Sequence, residues 1–326
     1  MRLSRLTLAL SVLLVLLIGA GCPQRRTRAL RLAVPASVPG AWQPAVEQWA
    51  QLTDERTRSR LIVQQTKDRG DAGARLESVR SGTTADCALI PASALAEADA
   101  AFDIFALPWL FPDADTASRV CEGPMGDAML ERLDALGLVG LAYGSSGFRQ
   151  LATRSKAVRA PADLRDMTVS LPAGRAYAPH ADALEAIGAG PRRGSADRAD
   201  AWEWSMEDPP AAGAEHAPRA VTLWNAAYEP FLIIVNKRTW DDLPELDRGL
   251  LRMSAQDAVE TQRRQAAEGE DRLARDLERE GVTVVRLRQA ERATFEQAAA
   301  PAIERWTETI GPDLVREFRA EVDRAR

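Results

Sequence analysis

The chain has 326 residues, of which 46% are hydrophobic and 27% are charged. This composition indicates a soluble globular protein of about two domains, with room for a sizeable core. The formal net charge of −5 gives no basic surface for a polyanion, so the composition argues against a nucleic-acid partner.

The amino terminus has the pattern of an export signal. Arg2 and Arg5 precede an apolar run from Leu6 to Ile18, which is short for a membrane span and typical of a secretory signal peptide. We therefore expect residues 1–21 to be absent from the mature protein. The protein would then lie in the periplasm or cell envelope.

The residues Gly19-Ala20-Gly21-Cys22 follow this run and resemble a bacterial lipoprotein cleavage site, in which the cysteine receives a diacylglyceryl group. This resemblance predicts a lipid anchor at Cys22 and a polar tether over residues 22–29. Two or three acyl chains, at about 0.8 kcal/mol for each buried methylene, would hold the protein on a membrane. The alternative is plain secretion, in which Cys22 carries no lipid.

Cys87 and Cys121 are the other two cysteines. In an exported protein they could form one disulfide. We favour two buried free thiols, because Cys87 lies in an apolar, strand-like run and Cys121 ends a helical pattern.

Strand-like and helix-like patterns of apolar residues alternate along the chain. The predicted strands are 30–34, 61–65, 87–90, 136–143, 148–153, 167–171, 221–223, 231–236 and 282–287. The predicted helices are 40–52, 75–79, 114–121 with Asp113 as its cap, 125–133, a single turn over 160–164, 177–187, 244–280, 289–307 and 312–323. Residues 188–208 are predicted to be irregular. Strands that alternate with helices predict an α/β fold with a largely parallel sheet.

The pattern over 244–280 predicts a helix far longer than the usual dozen residues or so. At about 1.5 Å per residue, this helix would span on the order of 50 Å. A helix of that length would cross two lobes rather than serve one.

The stretch from Gly147 to Pro172 holds two short strands around a connector. This arrangement can place strand ends at the mouth of a sheet, where open α/β folds bind ligands. Arg149 lies on the first of these strands. We predict that Arg149 contacts a ligand, and the alternative is that it orders a hinge.

Several motifs, taken together, carry a resemblance to a known family. They are Val79-Arg80-Ser81-Gly82-Thr83 with Asp86, Phe105-Ala106-Leu107-Pro108-Trp109-Leu110-Phe111, Gly147-Phe148-Arg149, Pro161-Ala162-Asp163-Leu164, and Tyr228-Glu229-Pro230 before Val235-Asn236-Lys237 with Trp240, Leu243 and Pro244. In this order and spacing they resemble the substrate-binding proteins of tripartite ATP-independent periplasmic (TRAP) transporters, the DctP type. The resemblance runs from about Leu30 to Arg305.

The resemblance implies a two-lobed clamshell with mixed, mainly parallel sheets and a long helix that bridges the lobes. Lobe I would comprise residues 30–147 and 237–278, and lobe II residues 148–236 and 279–326. A small organic solute, a carboxylate in this family, would bind in the cleft and pass to the membrane permease subunits of a TRAP-type transporter. We expect a monomer that is not an enzyme and has no cofactor.

The sequence departs from the family at its main anion contact. In the family an arginine on the strand after the Asp-Leu turn pairs with the ligand carboxylate, through two parallel charge-assisted hydrogen bonds. Counted from Asp163-Leu164, that position is Ser170 in this sequence. An acidic loop of the family is only partly recognisable, over residues 204–209. The charge of the ligand therefore stays open.

The predicted ligand-binding residues are Arg149, Ser170, Trp204, Glu207, Trp224 and Asn236. Ser170 could donate a hydrogen bond to a neutral or zwitterionic ligand, and the tryptophan faces could take a cationic or aromatic one. The alternatives are an ordinary strand serine, tryptophans that pack the lobes, a solvated carboxylate at Glu207 and a helix cap at Asn236. Arg175, Arg192 and Arg193 could replace the lost charge, or they are solvated surface arginines.

No catalytic or metal site is predicted. Gly144-Ser145-Ser146-Gly147 lacks the spacing of a nucleophile elbow, and residues 188–194 are one residue too long for a dinucleotide fingerprint. His180 and His216 are the two histidines, and they are not in metal-ligand spacing.

A second hypothesis stays open beside transport. The serine at position 170 and the rewritten segment 188–208 would also fit a sensory or partner-binding paralogue that kept the clamshell fold.

Overall fold

The computed structural model of the chain describes residues 27–36, 40–68, 70–172, 174–194, 196–205 and 217–326. The predicted signal peptide, Cys22 and Glu207 lie outside these residues. Within the described ranges, no helix has both the length and the hydropathy that a membrane span requires.

The described residues form one nine-stranded sheet with helices packed on it. The strands are β1 (Arg28–Pro35), β2 (Leu61–Asp68), β3 (Cys87–Pro91), β4 (Leu138–Thr153), β5 (Thr168–Leu171), β6 (Gly190–Arg193), β7 (Ala201–Ser205), β8 (Ala220–Asn236) and β9 (Thr283–Arg286). The helices are α1 (Trp42–Thr57), α2 (Ala72–Ser81), α3 (Ala114–Glu122), α4 (Pro124–Arg132), α5 (Ala178–Ile187), α6 (Lys237–Asp241), α7 (Glu245–Arg279), α8 (Gln289–Ala298), α9 (Ala300–Ile310) and α10 (Pro312–Ala325).

The strand order is β2-β1-β3-β8-β4-β7-β5-β6, and β9 pairs with β8. Strands β1, β2 and β3 are parallel at one end of the sheet, and β5, β6 and β7 are parallel at the other. We call these ends lobe I and lobe II. The central strands β4 and β8 are antiparallel and run through both ends. The predicted α/β fold with a mixed, mainly parallel sheet is confirmed.

The prediction of separate short strands over 136–143 and 148–153, and over 221–223 and 231–236, was wrong. Each pair is one continuous strand, β4 of 16 residues and β8 of 17. Their pairing register shifts between Ser145 and Phe148, where Gly147 adopts a φ of +69°. Such a bulge bends a strand without ending it, so the glycines and serines that resembled a loop lie inside a strand.

The prediction that residues 188–208 are irregular was also wrong, because β6 and β7 lie there. All five residues of β7 are buried, and the strand is parallel to β5 on one side and antiparallel to β4 on the other. The sequence conceals this strand because a glutamate, Glu203, stands at its centre. Strand β6 is a short edge strand, where Pro191 is tolerated.

The long predicted helix is confirmed as α7, with 35 residues. Near its start, Leu251, Ala255 and Val259 pack in the lobe I core with Trp42 and Trp49 of α1. Near its end, two more of its apolar residues, at positions 274 and 277, pack against the β4, β7 and β8 residues of lobe II. The helix therefore bridges the two lobes. The other long prediction, over 289–307, is two helices that meet before Pro301.

One buried side chain connects α7 to the bend of β4. The amide of Gln262 accepts a hydrogen bond from Ser145 N at 2.9 Å and donates one to Ser145 O at 2.7 Å. Trp42 Nε1 donates a further bond to Ser145 O, at 2.9 Å. The close approach of Trp42 to β4 requires glycine at position 144, because a Cβ there would lie 2.3 Å from the Trp42 ring. Backbone groups that the sheet leaves unpaired are thus satisfied by the two helices.

We expect Gln262→Ala to lower the free energy of unfolding by about 2–4 kcal/mol, because it leaves the buried N–H of Ser145 without a partner and creates a cavity. Urea unfolding measures this change. Gln256→Ala is the matched control, since Gln256 is exposed on the same helix. Equal stability of the two variants would contradict the role of Gln262.

Candidate functional site

A small enclosed cavity lies where the two lobes meet, beside the central strands β4 and β8, which we call the crossing strands. Its volume is about 20 Å³, which is room for about one water molecule. It is lined by Ser93, Phe105, Ala106, Arg149, Tyr177, His180, Ala227, Tyr228 and Glu229. These residues come from the turns after β3, from β4, from the start of α5 and its preceding turn, and from β8.

The cavity is the inner end of a larger cleft. A concavity of about 500 Å³ shares Ser93, Tyr177 and Glu229 with the cavity and opens outward past Asp71 and Arg175. A larger groove, of about 730 Å³, lies between α8, α9 and α10. That groove contains none of the buried charges described next, so we place the site in the cleft.

Arg149 projects from β4 two residues beyond the bend. Its Nη2 lies 3.2 Å from Oε2 of Glu229 on β8, and its guanidinium carbon lies 5.2 Å from the centre of the Tyr177 ring. The Arg149 and Glu229 side chains are only 18% and 15% exposed. Ser93 donates a hydrogen bond to the other oxygen of Glu229.

The electrostatic surroundings keep Arg149 charged. Burial acts to lower the pKa of its guanidinium, but the nearby acidic groups of Tyr177, Glu229 and Glu203 outweigh burial and leave the pKa raised. The carboxylate that Arg149 contacts directly is that of Glu229 in the protein itself.

His180 and Glu203 form a second buried group beside the cavity. Their side chains are 2% and 0% exposed, and Nδ1 of His180 contacts a carboxylate oxygen of Glu203. Among the described residues, neither ring nitrogen of His180 has a partner in hydrogen-bond geometry. The imidazole packs against the rings of Trp109 and Trp224, with ring centres about 6 Å apart.

Two of the three arginines considered as replacements for the lost charge, Arg175 and Arg193, have partners. Nη2 of Arg175, at the cleft mouth, lies 2.6 Å from Oδ2 of the buried Asp103. Burial raises the pKa of Asp103, and the hydrogen bonds from Arg175 offset this only in part. Arg193 donates to the Gly174 carbonyl at 2.6 Å, and Arg192 is exposed on the edge strand β6.

Of the residues predicted from the sequence, Arg149 lines the cavity and four others lie elsewhere. Ser170 is buried, donates to the Gly194 carbonyl at 2.6 Å and does not line the cavity. Trp204 packs in the small core between α7 and lobe II. Trp224 is fully buried in an aromatic cluster behind His180.

Asn236 caps a helix, which was the alternative to its ligand-binding role. Its Oδ1 accepts from Thr239 N, and its Nδ2 donates to the carbonyls of Val79 and Arg80. It lies away from the cavity, and both ends of its amide are used in these hydrogen bonds to α6 and α2.

Sequence reasoning missed the acidic half of the site. Glu229 stands in the Tyr-Glu-Pro motif but was not considered as a site residue, and His180 was considered only as a metal ligand. Glu203 lies between two tryptophans in a strand that was not predicted. The available signal was a carboxylate beside Pro230, just before the apolar run 231–235, and it pointed to Glu229.

The two cysteines are buried in the core and line neither the cavity nor the cleft mouth. Cys87 and Cys121 are buried free thiols in two different core clusters, so the disulfide alternative was wrong. In the part of the chain that the structure describes, no group of three or more His, Cys, Asp or Glu residues could hold a metal ion.

The family model for bacterial extracellular solute-binding proteins, family 7 (DctP), matches residues 37–309. The chain belongs to this family. It is 27% identical to the 2,3-diketo-L-gulonate-binding periplasmic protein YiaO of Escherichia coli, over 79% of this chain and 81% of YiaO. It is 24% identical to the C4-dicarboxylate-binding periplasmic protein DctP of Rhodobacter capsulatus, over 67% and 68% of the two chains. The resemblance to TRAP substrate-binding proteins is confirmed.

Solved structures of the family share the fold. A TRAP periplasmic solute-binding protein from Ochrobactrum anthropi matches with a TM-score of 0.86 and 23% identity, over 92% of this chain and 96% of that one. One from Ralstonia eutropha, with bound (S)-2-acetolactate, matches with a TM-score of 0.80 and 24% identity, over 91% and 99%. The two-lobed architecture of the family is therefore that of this chain.

A buried carboxyl group lies beneath the bend of β4. Glu270 of α7 is mostly buried and accepts a hydrogen bond from the N–H of Phe148, the neighbour of Arg149. One of its carboxylate oxygens has no partner among the described residues. Burial raises the pKa of Glu270 to about 7, and the charge of Asp271 adds to this shift.

The raised pKa makes the stability of the protein depend on pH. In the unfolded chain Glu270 ionises near its ordinary pKa of about 4.5. The stability that comes from keeping this carboxyl group neutral in the folded protein is therefore fully present below that pH and is lost as the pH rises to about 7. We expect Glu270→Gln to unfold like the wild type at pH 4 and to be more stable by up to about 3 kcal/mol at pH 8. Denaturant titrations at both pH values measure this, with the exposed Glu268→Gln as control. A constant difference at all pH values would contradict it.

Proposed function

We propose that this extracellular solute-binding protein captures a small organic solute, with at least one carboxylate, in the cleft at Arg149 and delivers it to a TRAP-type membrane permease. The observation that carries the proposal is the position of Arg149. A buried, charged guanidinium stands where both lobes and both crossing strands meet. An arginine fork binds a carboxylate through two charge-assisted hydrogen bonds, which suits an organic acid.

The relatives support a carboxylate solute. The names of two curated relatives state that they bind 2,3-diketo-L-gulonate and C4-dicarboxylates. Structures of the same fold hold galactonate, glucuronate and succinate. All of these ligands are organic acids, and Arg149 is an arginine of the inner cavity that could meet such a group.

The mechanism we propose is closure of the lobes around the solute. The cavity has room for about one water molecule, so a solute must enter with the lobes apart. The bends of β4 near Gly147 and of β8 opposite it are the natural hinges, because both strands continue through them. Contacts of the solute with both lobes would favour the closed state by a few kcal/mol.

We propose that residues 1–21 are a signal peptide, that Cys22 carries the lipid anchor and that the mature chain is a monomer without catalytic activity. The proposed lobes are residues 30–147 with 237–278 and residues 148–236 with 279–326. The family to which the chain belongs acts outside the cytoplasm, which supports this location.

The experiment starts with native mass spectrometry of the protein lacking residues 1–22 and a thermal-shift screen of organic acids, amino acids, amines and sugars. We expect a tight ligand to contain a carboxylate. Arg149→Ala should then weaken that ligand by about 2 kcal/mol, or about 30-fold, because a desolvated charge pair is lost. Calorimetry measures the loss.

The control for Arg149→Ala is Arg192→Ala, which removes an exposed arginine from β6. The same affinity in Arg149→Ala and in the wild type, for a ligand that closes the lobes, would contradict the proposed site.

A further inference from the structure

The charged groups of the cleft are mostly acidic. Its inner cavity, its mouth and the groups packed directly behind them contain five carboxylates, Asp71, Glu97, Asp103, Glu203 and Glu229. Among the described residues, two guanidiniums face these carboxylates, and each is paired within the chain, Arg149 with Glu229 and Arg175 with Asp103. A site of this composition is poorly matched to a solute whose only charge is negative.

Glu229 holds the position that a ligand carboxylate would take. Its Oε2 is bound to Arg149 at 3.2 Å, and its other oxygen accepts from Ser93. A plain carboxylate that replaced Glu229 on the arginine would leave a second carboxylate, only 15% exposed, with an uncompensated charge. Removing one partner of a buried ion pair is costly for this reason.

His180 points independently to a ligand group in the cavity. It is 2% exposed, it lines the cavity, and while its Nδ1 contacts Glu203, its Nε2 has no partner among the described residues. A buried polar group in a native protein normally has a partner. A neutral imidazole offers one acceptor nitrogen, which a ligand N–H group can use.

The walls of the cavity also favour a cation. Three aromatic residues, Phe105, Tyr177 and Tyr228, line it. Aromatic faces attract an ammonium or guanidinium group, as the contact of Arg149 with Tyr177 shows. These faces give an anion no comparable attraction.

We propose that the solute is zwitterionic, with a carboxylate that binds Arg149 and an ammonium group that binds Glu229. The solute would enter between the two side chains and replace one internal ion pair with two, so neither charge is left unpaired. His180 would accept a further N–H of the ammonium group. An α-amino acid has this chemistry. The inference rests on the proposed function and adds Glu229 to it as the residue that determines specificity.

The test uses matched sets of three compounds that share a side chain. Each set contains an α-amino acid, the 2-hydroxy acid and the amine without the carboxylate, and the sets cover several side-chain sizes. Calorimetry compares the wild type with Glu229→Gln, which keeps an oxygen to accept from Ser93. Glu268→Gln is the control, because it removes one exposed negative charge of α7 that lines neither the cavity nor the cleft mouth.

For the best side chain, we expect the wild type to bind the amino acid about 100-fold tighter than the hydroxy acid. Glu229→Gln should weaken the amino acid about 30-fold and strengthen the hydroxy acid about 10-fold, because it frees Arg149. Glu268→Gln should change either affinity by less than about 3-fold, because an exposed charge away from the cleft is screened. If Glu229→Gln does not fold, the comparison within the wild type still decides.

Two results would overturn the proposal, and they differ in what they leave standing. If the wild type binds a hydroxy acid or dicarboxylate at least as tightly as every amino acid, the zwitterion is wrong while the solute-binding site at Arg149 stands. If none of the compounds, including sugar acids and succinate, binds to the wild type, the proposed carboxylate solute fails as well.

Discussion

The two hydrogen bonds between Gln262 and the backbone of Ser145 hold the point on which the geometry of the cleft depends. Where a central strand bends, its N–H and C=O groups lose their partners in the sheet and need others. The helix that spans both lobes supplies these partners, and Trp42 supplies a third bond. Gly147 then turns the strand toward lobe II, and Arg149 follows two residues later. The same contact therefore positions the hinge and the guanidinium.

The electrostatics of the cleft follow from burying that guanidinium. A charge so far from water needs a counter-ion, and in this conformation Glu229 provides it from the neighbouring crossing strand. An internal counter-ion keeps Arg149 charged and ordered before any solute arrives. It also means that a solute must offer something to the displaced carboxylate, so the selectivity of the site lies in the pair rather than in the arginine alone.

Much of the fold is predictable because it rests on local patterns. The long helix, the first three strands and the cap at Asp113 all follow from residue spacing. The continuity of β4 and β8 does not, because a bulge held by a distant glutamine looks like a loop in the sequence. Strand β7 was missed because Glu203 is stabilised in a buried strand only by residues from elsewhere. The same distinction applies to the site. Arg149 is predictable because it lies in a recognisable motif, whereas its acidic partners are not, because tertiary pairing brings them to it.

If a solute bound at Arg149 closes the two lobes, the protein must become more compact when it binds. Small-angle X-ray scattering of the protein, alone and saturated with the tightest ligand found, measures this change. We expect a smaller radius of gyration in the saturated protein, and no such decrease in Arg149→Ala at the same ligand concentration. An identical radius of gyration with and without a tight ligand would contradict closure around the solute.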